Sequence, residues 1–175
     1  FYRENVQAIN YDETAWREDI YRIVNDDFCG RALYYDLDKA RESGDNLAVQ
    51  SAPFEIKPGR KYALSFHTKP DMEFTGVSYG EGFSFEFKPF DSNNDEVGRF
   101  GWHITWNNTN IWKNVDTDPI EISWEDIQGW KKVSINFTEP FYENIAKGAV
   151  AFRAQGFHYS GSVMVCNVAV EVYGQ

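Results

Sequence analysis

Short runs of alternating apolar and polar residues dominate this chain and constrain its fold more than any other feature. Along Lys61–Lys69, the large apolar residues Tyr62, Leu64 and Phe66 fall on every second position. A period of two is that of a β-strand with one buried face, whereas an amphipathic helix repeats about every 3.6 residues. Turn-forming stretches such as Lys57-Pro58-Gly59-Arg60 separate the runs. The pattern therefore predicts an all-β chain.

The same reading, continued along the chain, predicts many short strands and almost no helix. The predicted strands are Val6–Asn10, Ala32–Leu37, Ala48–Ile56, Lys61–Lys69, Gly82–Pro89, Gly101–Trp106, Pro119–Ile122, Lys131–Phe137, Gly148–Gln155 and Ser162–Val172. Helical turns are predicted only at Asp36–Ser43 and Ser123–Gly129. Strands at this spacing, each with one apolar face, favour two antiparallel sheets packed face to face. With 175 residues and no linker or repeat, one domain is expected to cover residues 1–175.

The net charge and the aromatic content indicate which classes of ligand this chain can bind. The chain has 17 Lys and Arg against 27 Asp and Glu, a net charge of −10. This balance argues against nucleic acid and against an anionic membrane surface, and no apolar run is long enough to span a bilayer. Aromatics make up 17% of the residues, including six Trp, which indicates a surface that stacks on flat ligands. The alternative, that all of them belong to the core, stays open.

Several segments resemble the jelly-roll carbohydrate-binding modules of bacterial polysaccharide-degrading enzymes, of the family four and family twenty-two type. The longest match is Pro53–Phe66, which reads PFEIKPGRKYALSF, and Trp130–Pro140, which reads WKKVSINFTEP, is similar to another family segment. The stretches Ile9–Trp16, Phe28–Leu33 and Val163–Tyr173 look like the opening, the entry to the second strand and the final strand. The resemblance spans almost the whole chain in the family's order.

The resemblance implies a two-sheet antiparallel jelly-roll sandwich that binds a plant or microbial polysaccharide of the β-glucan, xylan, mannan or pectin type. It further implies a non-catalytic, monomeric module, part of a larger polysaccharide-degrading enzyme that a bacterium secretes. Because folds of this kind host many activities, a jelly-roll glycoside hydrolase or lyase and a protein-adhesion module remain alternatives. Enzyme activity is not expected, since the chain has no paired carboxylates along one strand, no metal-binding spacing of histidines and no Gly-x-Ser-x-Gly motif.

The family often holds a structural calcium between its opening acid, the loop before strand two and an Asp in the last strand. Asp12 corresponds to the opening acid, but Cys29 and Cys166 stand at the other two places, and they are the only cysteines. The resemblance thus implies that the two cysteines are neighbours and that a disulfide replaces the metal, which would indicate export. Two buried free thiols, or a calcium held by Asp12 and backbone carbonyls, are the alternatives. No other cofactor is expected.

Candidate ligand contacts follow from the chemistry of sugars, whose C–H faces pack on aromatic rings and whose hydroxyls need polar partners. Strand alternation and the resemblance together place the polar candidates on an outward sheet face: His67, Glu86, His103, Arg153 and Gln155. Trp106 borders the polar loop Asn107–Asn110, and Trp112 is expected to lie within the most polar loop of the chain. Both are predicted to stack on sugar rings, with Tyr79 and Tyr159 as weaker candidates. The alternative for the polar set is an ordinary solvated face. Trp16 and Trp130 are predicted to be structural.

Overall fold

Two seven-stranded antiparallel sheets make up the computed structural model of the protein. The structure describes residues 2–5, 8–9, 19–43, 48–51, 53–57, 61–74, 82–97, 100–104, 111–113, 121–138, 145–155 and 159–173. The elements are β1 (Tyr2–Asn5), β2 (Ala8–Ile9), β3 (Tyr21–Asp26), β4 (Gly30–Asp36), α1 (Leu37–Ser43), β5 (Ala48–Ser51), β6 (Phe54–Glu55), β7 (Lys61–Phe74), β8 (Gly82–Phe90), β9 (Phe100–Ile104), β10 (Ile111–Lys113), β11 (Glu121–Ile127), β12 (Trp130–Thr138), β13 (Lys147–Gln155) and β14 (Tyr159–Tyr173).

The first sheet has the order β11-β12-β7-β14-β4-β3, with β1 also paired to β14. The second has the order β10-β9-β8-β13-β5-β2, with β6 also paired to β13. Strands that follow one another in the chain often belong to opposite sheets, as β7 and β8 do. The fold is an all-β jelly-roll sandwich, which confirms the predicted fold class.

One apolar core fills the space between the sheets. The first sheet contributes the alternate positions of β7, where Tyr62, Leu64 and Phe66 are no more than 1% exposed. The second contributes Val150 and Phe152, each 1% exposed, and the ring of Phe152 meets that of Phe66 edge to face with centroids 5.3 Å apart. These are the faces that the period-two pattern predicted, because the large apolar side chains can leave water only between the two sheets.

A tyrosine hydroxyl links the sheets through this core. Tyr35, on β4 of the first sheet, donates a hydrogen bond to the carbonyl oxygen of Phe152 at 2.6 Å. The same hydroxyl accepts a hydrogen bond from the amide of Val49 on β5 at 3.1 Å. It therefore satisfies a buried acceptor and a buried donor on two neighbouring strands of the second sheet.

The structure confirms one of the two predicted helical segments and corrects the other. The helix at Leu37–Ser43 is confirmed, and its first turn is capped by Asp36, whose carboxylate accepts from the amide of Lys39 at 3.0 Å. A helix at Ser123–Gly129 is wrong, because β11 runs to Ile127 and then turns through residues 128 and 129, whose φ values of 52° and 83° suit a two-residue hairpin.

Strand β3 was not predicted, because its apolar residues do not alternate. Ile23 and Val24 are adjacent, and Ile23 on the core parity is nevertheless 42% exposed. Within the described residues β3 has a single neighbour, β4, so one side of the strand has no ladder of its own. Edge positions of this kind tolerate a mixed pattern, since only part of each face is buried.

Candidate functional site

The backbone register of the second sheet aligns most of the predicted ligand contacts. Trp112 on β10 pairs with His103 on β9, and His103 pairs with Ser84 on β8. Ser84 in turn pairs with Arg153 on β13. Residues that are directly opposite on neighbouring strands lie on the same face of a sheet. Trp112, His103 and Arg153 therefore occupy one line across the strands.

Two further candidates belong to the same face. Glu86 lies two residues after Ser84 along β8 and pairs with Ala151. Gln155 lies two residues after Arg153 along β13. Because a strand returns to the same face at every second residue, both positions share the face of the aligned row.

This shared surface, which we call the outer face of the second sheet, lies opposite the core. Its centre is formed by Ala149 and Ala151 on β13, between the core-facing Val150 and Phe152. Both alanines are 0% exposed. Both positions are therefore covered rather than open to solvent, and Gln50 on the neighbouring strand pairs with Ala151.

For the predicted ligand contacts on the second sheet, the structure describes the backbone but not the side chains, and it places Trp112 on strand β10 rather than in a loop. The structure describes the strand positions of Glu86, His103, Trp112, Arg153 and Gln155, while their side chains lie outside its described part. Trp106, Tyr79 and Asp12 lie wholly outside the described residues. Their roles in ligand or metal binding therefore stay predictions.

His67 is separated from the other candidates. It lies on β7, and the expectation that it shares a face with Arg153 and Gln155 is wrong, because β7 belongs to the first sheet and β13 to the second. The His67 and Phe28 rings meet edge to face with centroids 5.1 Å apart, and the buried Nδ1 of His67 has no hydrogen-bond partner among the described residues. Burial lowers the pKa of His67, nearby Lys132 lowers that pKa further, and Glu125 acts in the opposite direction.

Tyr159 also differs from its predicted role. It begins β14 and is 1% exposed within the main core. A ring so deeply buried has no free face on which a sugar could stack, so its candidacy is wrong. The period-two pattern of β14 includes Tyr159, Val163 and Val165 on the buried parity, and this signal could have identified it.

A second, smaller apolar cluster covers the outer face of the first sheet, and we call it the tip cluster. Trp130 is 2% exposed there and stacks on Phe28 with ring centroids 5.5 Å apart and an interplanar angle of 18°. Ala32 and Cys166 complete its buried part, and Cys29 packs against them. Trp130 is thus structural, as predicted, but it lies outside the main core because its parity on β12 is opposite to that of the buried Val133.

The cysteines meet inside the tip cluster, so the prediction that they are neighbours is confirmed. The thiols of Cys29 and Cys166 contact each other, and both cysteines are free. Asp26 holds the loop that carries Cys29, because its Oδ1 accepts from the amide of Phe28 at 2.8 Å and from the amide of Cys29 at 3.3 Å. Burial raises the pKa of both thiols, that of Cys166 well above its usual range.

Neither a metal site nor a membrane span is found in the described part of the chain. No group of three or more His, Cys, Asp and Glu side chains among the described residues could hold a metal ion. No described helix is both long and apolar enough to cross a bilayer.

Comparison with known proteins gave likenesses of structure only. A scan against protein-family models found no match, and a search of curated proteins found none either. A cyclase from Fischerella sp. TAU has a TM-score of 0.42 and 15% identity over 82% of this chain and 64% of its own. A Stig cyclase from the same organism has a TM-score of 0.46 and 13% identity over 98% of this chain and 73% of its own.

A further solved structure is a carbohydrate-binding module with specific mannan recognition. Its TM-score is 0.39 and its identity 9%, over 99% of this chain and 88% of its own. The chain thus spans less than two thirds of the first cyclase and most of this module. These likenesses concern the chain trace and carry no information about a ligand.

Proposed function

We propose that this chain is a carbohydrate-binding module whose polysaccharide ligand lies on the outer face of the second sheet. The single observation that supports it best is the register that brings Trp112, His103 and Arg153 into one line across four strands. Their residue types suit sugar recognition, and the strand register independently brings them into a common row, so they are treated as one site.

The dimensions of the row suit an extended chain of sugars. Neighbouring strands are about 4.8 Å apart, so the three steps from β10 to β13 cover about 14 Å. A polysaccharide that crosses the strands can place one ring at Trp112 and further rings above His103 and Arg153.

The chemistry of the row also fits a neutral polymer. An indole offers a flat apolar surface to the C–H face of a pyranose ring. The guanidinium of an Arg donates paired hydrogen bonds to neighbouring hydroxyls, and the amide of Gln155 can both donate and accept. The net charge of −10 repels acidic polymers, so among the candidate ligands the neutral glucans, xylans and mannans suit this chain better than pectin does.

Binding without catalysis is part of the proposal. Glycosidases need two carboxyl groups that flank the scissile bond, about 5 to 9 Å apart. On the outer face of the second sheet, Glu86 pairs with Ala151, whereas Glu55 and Glu96 pair with Lys147 and Phe90, four residues or about 13 Å further along β13 and β8. A module of this kind would serve a secreted polysaccharide-degrading enzyme by holding it on its substrate.

Affinity electrophoresis tests the proposal. The folded protein is run through gels containing soluble β-glucan, xylan, mannan or pectin, and retardation is expected on at least one. Arg153→Ala and Trp112→Ala are each expected to weaken binding by about 1–3 kcal/mol, roughly tenfold to a hundredfold in Kd. The matched control is Arg22→Ala, since Arg22 lies on the first sheet over the ring of Tyr34 at 4.4 Å.

Two results would count against the proposal. A folded sample that is retarded by no polysaccharide has no such function. Equal weakening by Arg22→Ala and Arg153→Ala would place the ligand elsewhere. Incubation of the same polysaccharides with the protein, followed by an assay for new reducing ends, separates the enzyme alternative, because a binding module releases none.

A further inference from the structure

The loop between β3 and β4 folds back over the outer face of the first sheet. Asp26 and Gly30 close the hairpin, and Phe28 and Cys29 stand at its tip. Cys29 contacts Cys166 on β14, while Phe28 contacts His67 on β7 and Trp130 on β12. In the sheet order β12-β7-β14-β4, these contacts cross three strand spacings, about 14 Å in all. The tip therefore covers a part of the sheet far from its own hairpin.

Among the described residues, ring contacts and the cysteine pair attach this tip to the sheet. Asp26 organises the turn, but its bonds to Phe28 and Cys29 lie within the hairpin and do not attach it to the sheet. Attachment comes from the stacked Phe28 ring and from the cysteine pair. A covalent bond at this point would fix a segment that is otherwise attached by the ring contacts of Phe28 and by apolar packing.

We propose that Cys29 and Cys166 form a disulfide bond that fastens the tip of the β3–β4 hairpin to β14 and seals Trp130 beneath Phe28. The positions support this: the two thiols already touch, on elements that are remote in sequence. This proposal does not depend on the proposed function.

The reaction needs an oxidant, and a small-molecule disulfide such as oxidised glutathione supplies it. One cysteine thiolate attacks a sulfur of the oxidant, forming a mixed disulfide and expelling one small thiol. The second cysteine then attacks the mixed disulfide, forming the bond between Cys29 and Cys166 and expelling the other small thiol. The two cysteines lose two protons and two electrons, and the oxidant is reduced to two thiols.

The surroundings make this bond structural rather than regulatory. Thiolates carry out exchange, and burial raises the pKa of both thiols, so little thiolate exists in the folded protein near neutral pH. Cys166 is 4% exposed, so a reductant can approach only from the side of the half-buried Cys29. We therefore expect the bond to form while the chain folds and then to resist mild reductant until the tip opens.

Counting thiols tests the proposal directly. The protein is refolded with oxidised glutathione, denatured with an alkylating agent but no reductant, and weighed by intact mass spectrometry. We expect no alkylated cysteine, and two after reduction in denaturant. Two alkylated cysteines without reduction would overturn the proposal, and so would glutathione attached to either residue.

A second measurement distinguishes the predicted clamp from a bond without structural effect. Reduction in denaturant followed by refolding in reductant is expected to increase the rate of proteolytic cleavage at the tip and to lower the urea midpoint of the parent. Cys29→Ser should resemble the reduced parent and should not respond to reductant. If the oxidised and reduced parents have the same midpoint and the same cleavage rate, the bond does not fasten the tip.

Discussion

Removing the hydroxyl of Tyr35 tests whether one side chain joins the two sheets. The change Tyr35→Phe keeps the ring, which is 0% exposed, and deletes only the oxygen. That oxygen donates to the carbonyl of Phe152 at 2.6 Å and accepts from the amide of Val49 at 3.1 Å. Both backbone groups belong to residues no more than 1% exposed, so water cannot readily replace the lost partner.

The expected cost follows from the two bonds. Each intramolecular hydrogen bond contributes about 1 kcal/mol net, and each buried group left without a partner costs about 1–3 kcal/mol. The two groups left unpaired are expected to lower the free energy of unfolding of Tyr35→Phe by about 2–6 kcal/mol. With a urea m-value of about 2 kcal/mol per molar, the midpoint should fall by roughly 1–3 M while the slope stays constant.

The neighbouring residue provides the control. Tyr34 lies on the same strand with the opposite parity, is half-buried, and engages Arg22 through its ring rather than its hydroxyl. Tyr34→Phe should change stability by no more than about 0.5 kcal/mol. An unchanged midpoint for Tyr35→Phe, or an equal loss for Tyr34→Phe, would refute the link between the sheets.

Two further predictions concern buried polar groups on β7. The buried hydroxyl of Thr68, a residue that is 0% exposed, has no hydrogen-bond partner among the described residues, so Thr68→Val should stabilise the protein by about 1 kcal/mol in urea unfolding. A loss of stability would mean that the hydroxyl has a partner. Burial and Lys132 lower the pKa of His67 from its usual value of 6.5, so the unfolded chain binds the proton more readily and stability should fall as pH drops below about 6.5. His67→Gln should reduce the fall in urea midpoint between about pH 7.5 and pH 5.5. An identical fall in parent and variant would contradict the assignment of this pH dependence to His67. The charged groups that act on His67 are Lys132 and Glu125.

Much of the fold could be predicted from local pattern. Alternation identified β7, β12 and β13, and the side-chain burial of Phe66, Val133 and Phe152 agrees with the predicted faces. The helix over Leu37–Ser43 was predictable from its short helical pattern, and Asp36 caps its first turn. These features depend on residues close together in the chain, where period and capping act directly.

The assignment of strands to sheets was decided only by the tertiary structure. Alternation along a strand tells whether a side chain faces the core or the solvent, and it assigned both His67 and Arg153 to the solvent side. It does not tell which sheet each strand joins. Strand pairing then put β7 and β13 in different sheets, and it brought Trp112 and His103 into line with Arg153 across long stretches of chain. Pairing of this kind has no local signal in these residues, because it is set by which apolar faces can bury one another once the whole chain has closed.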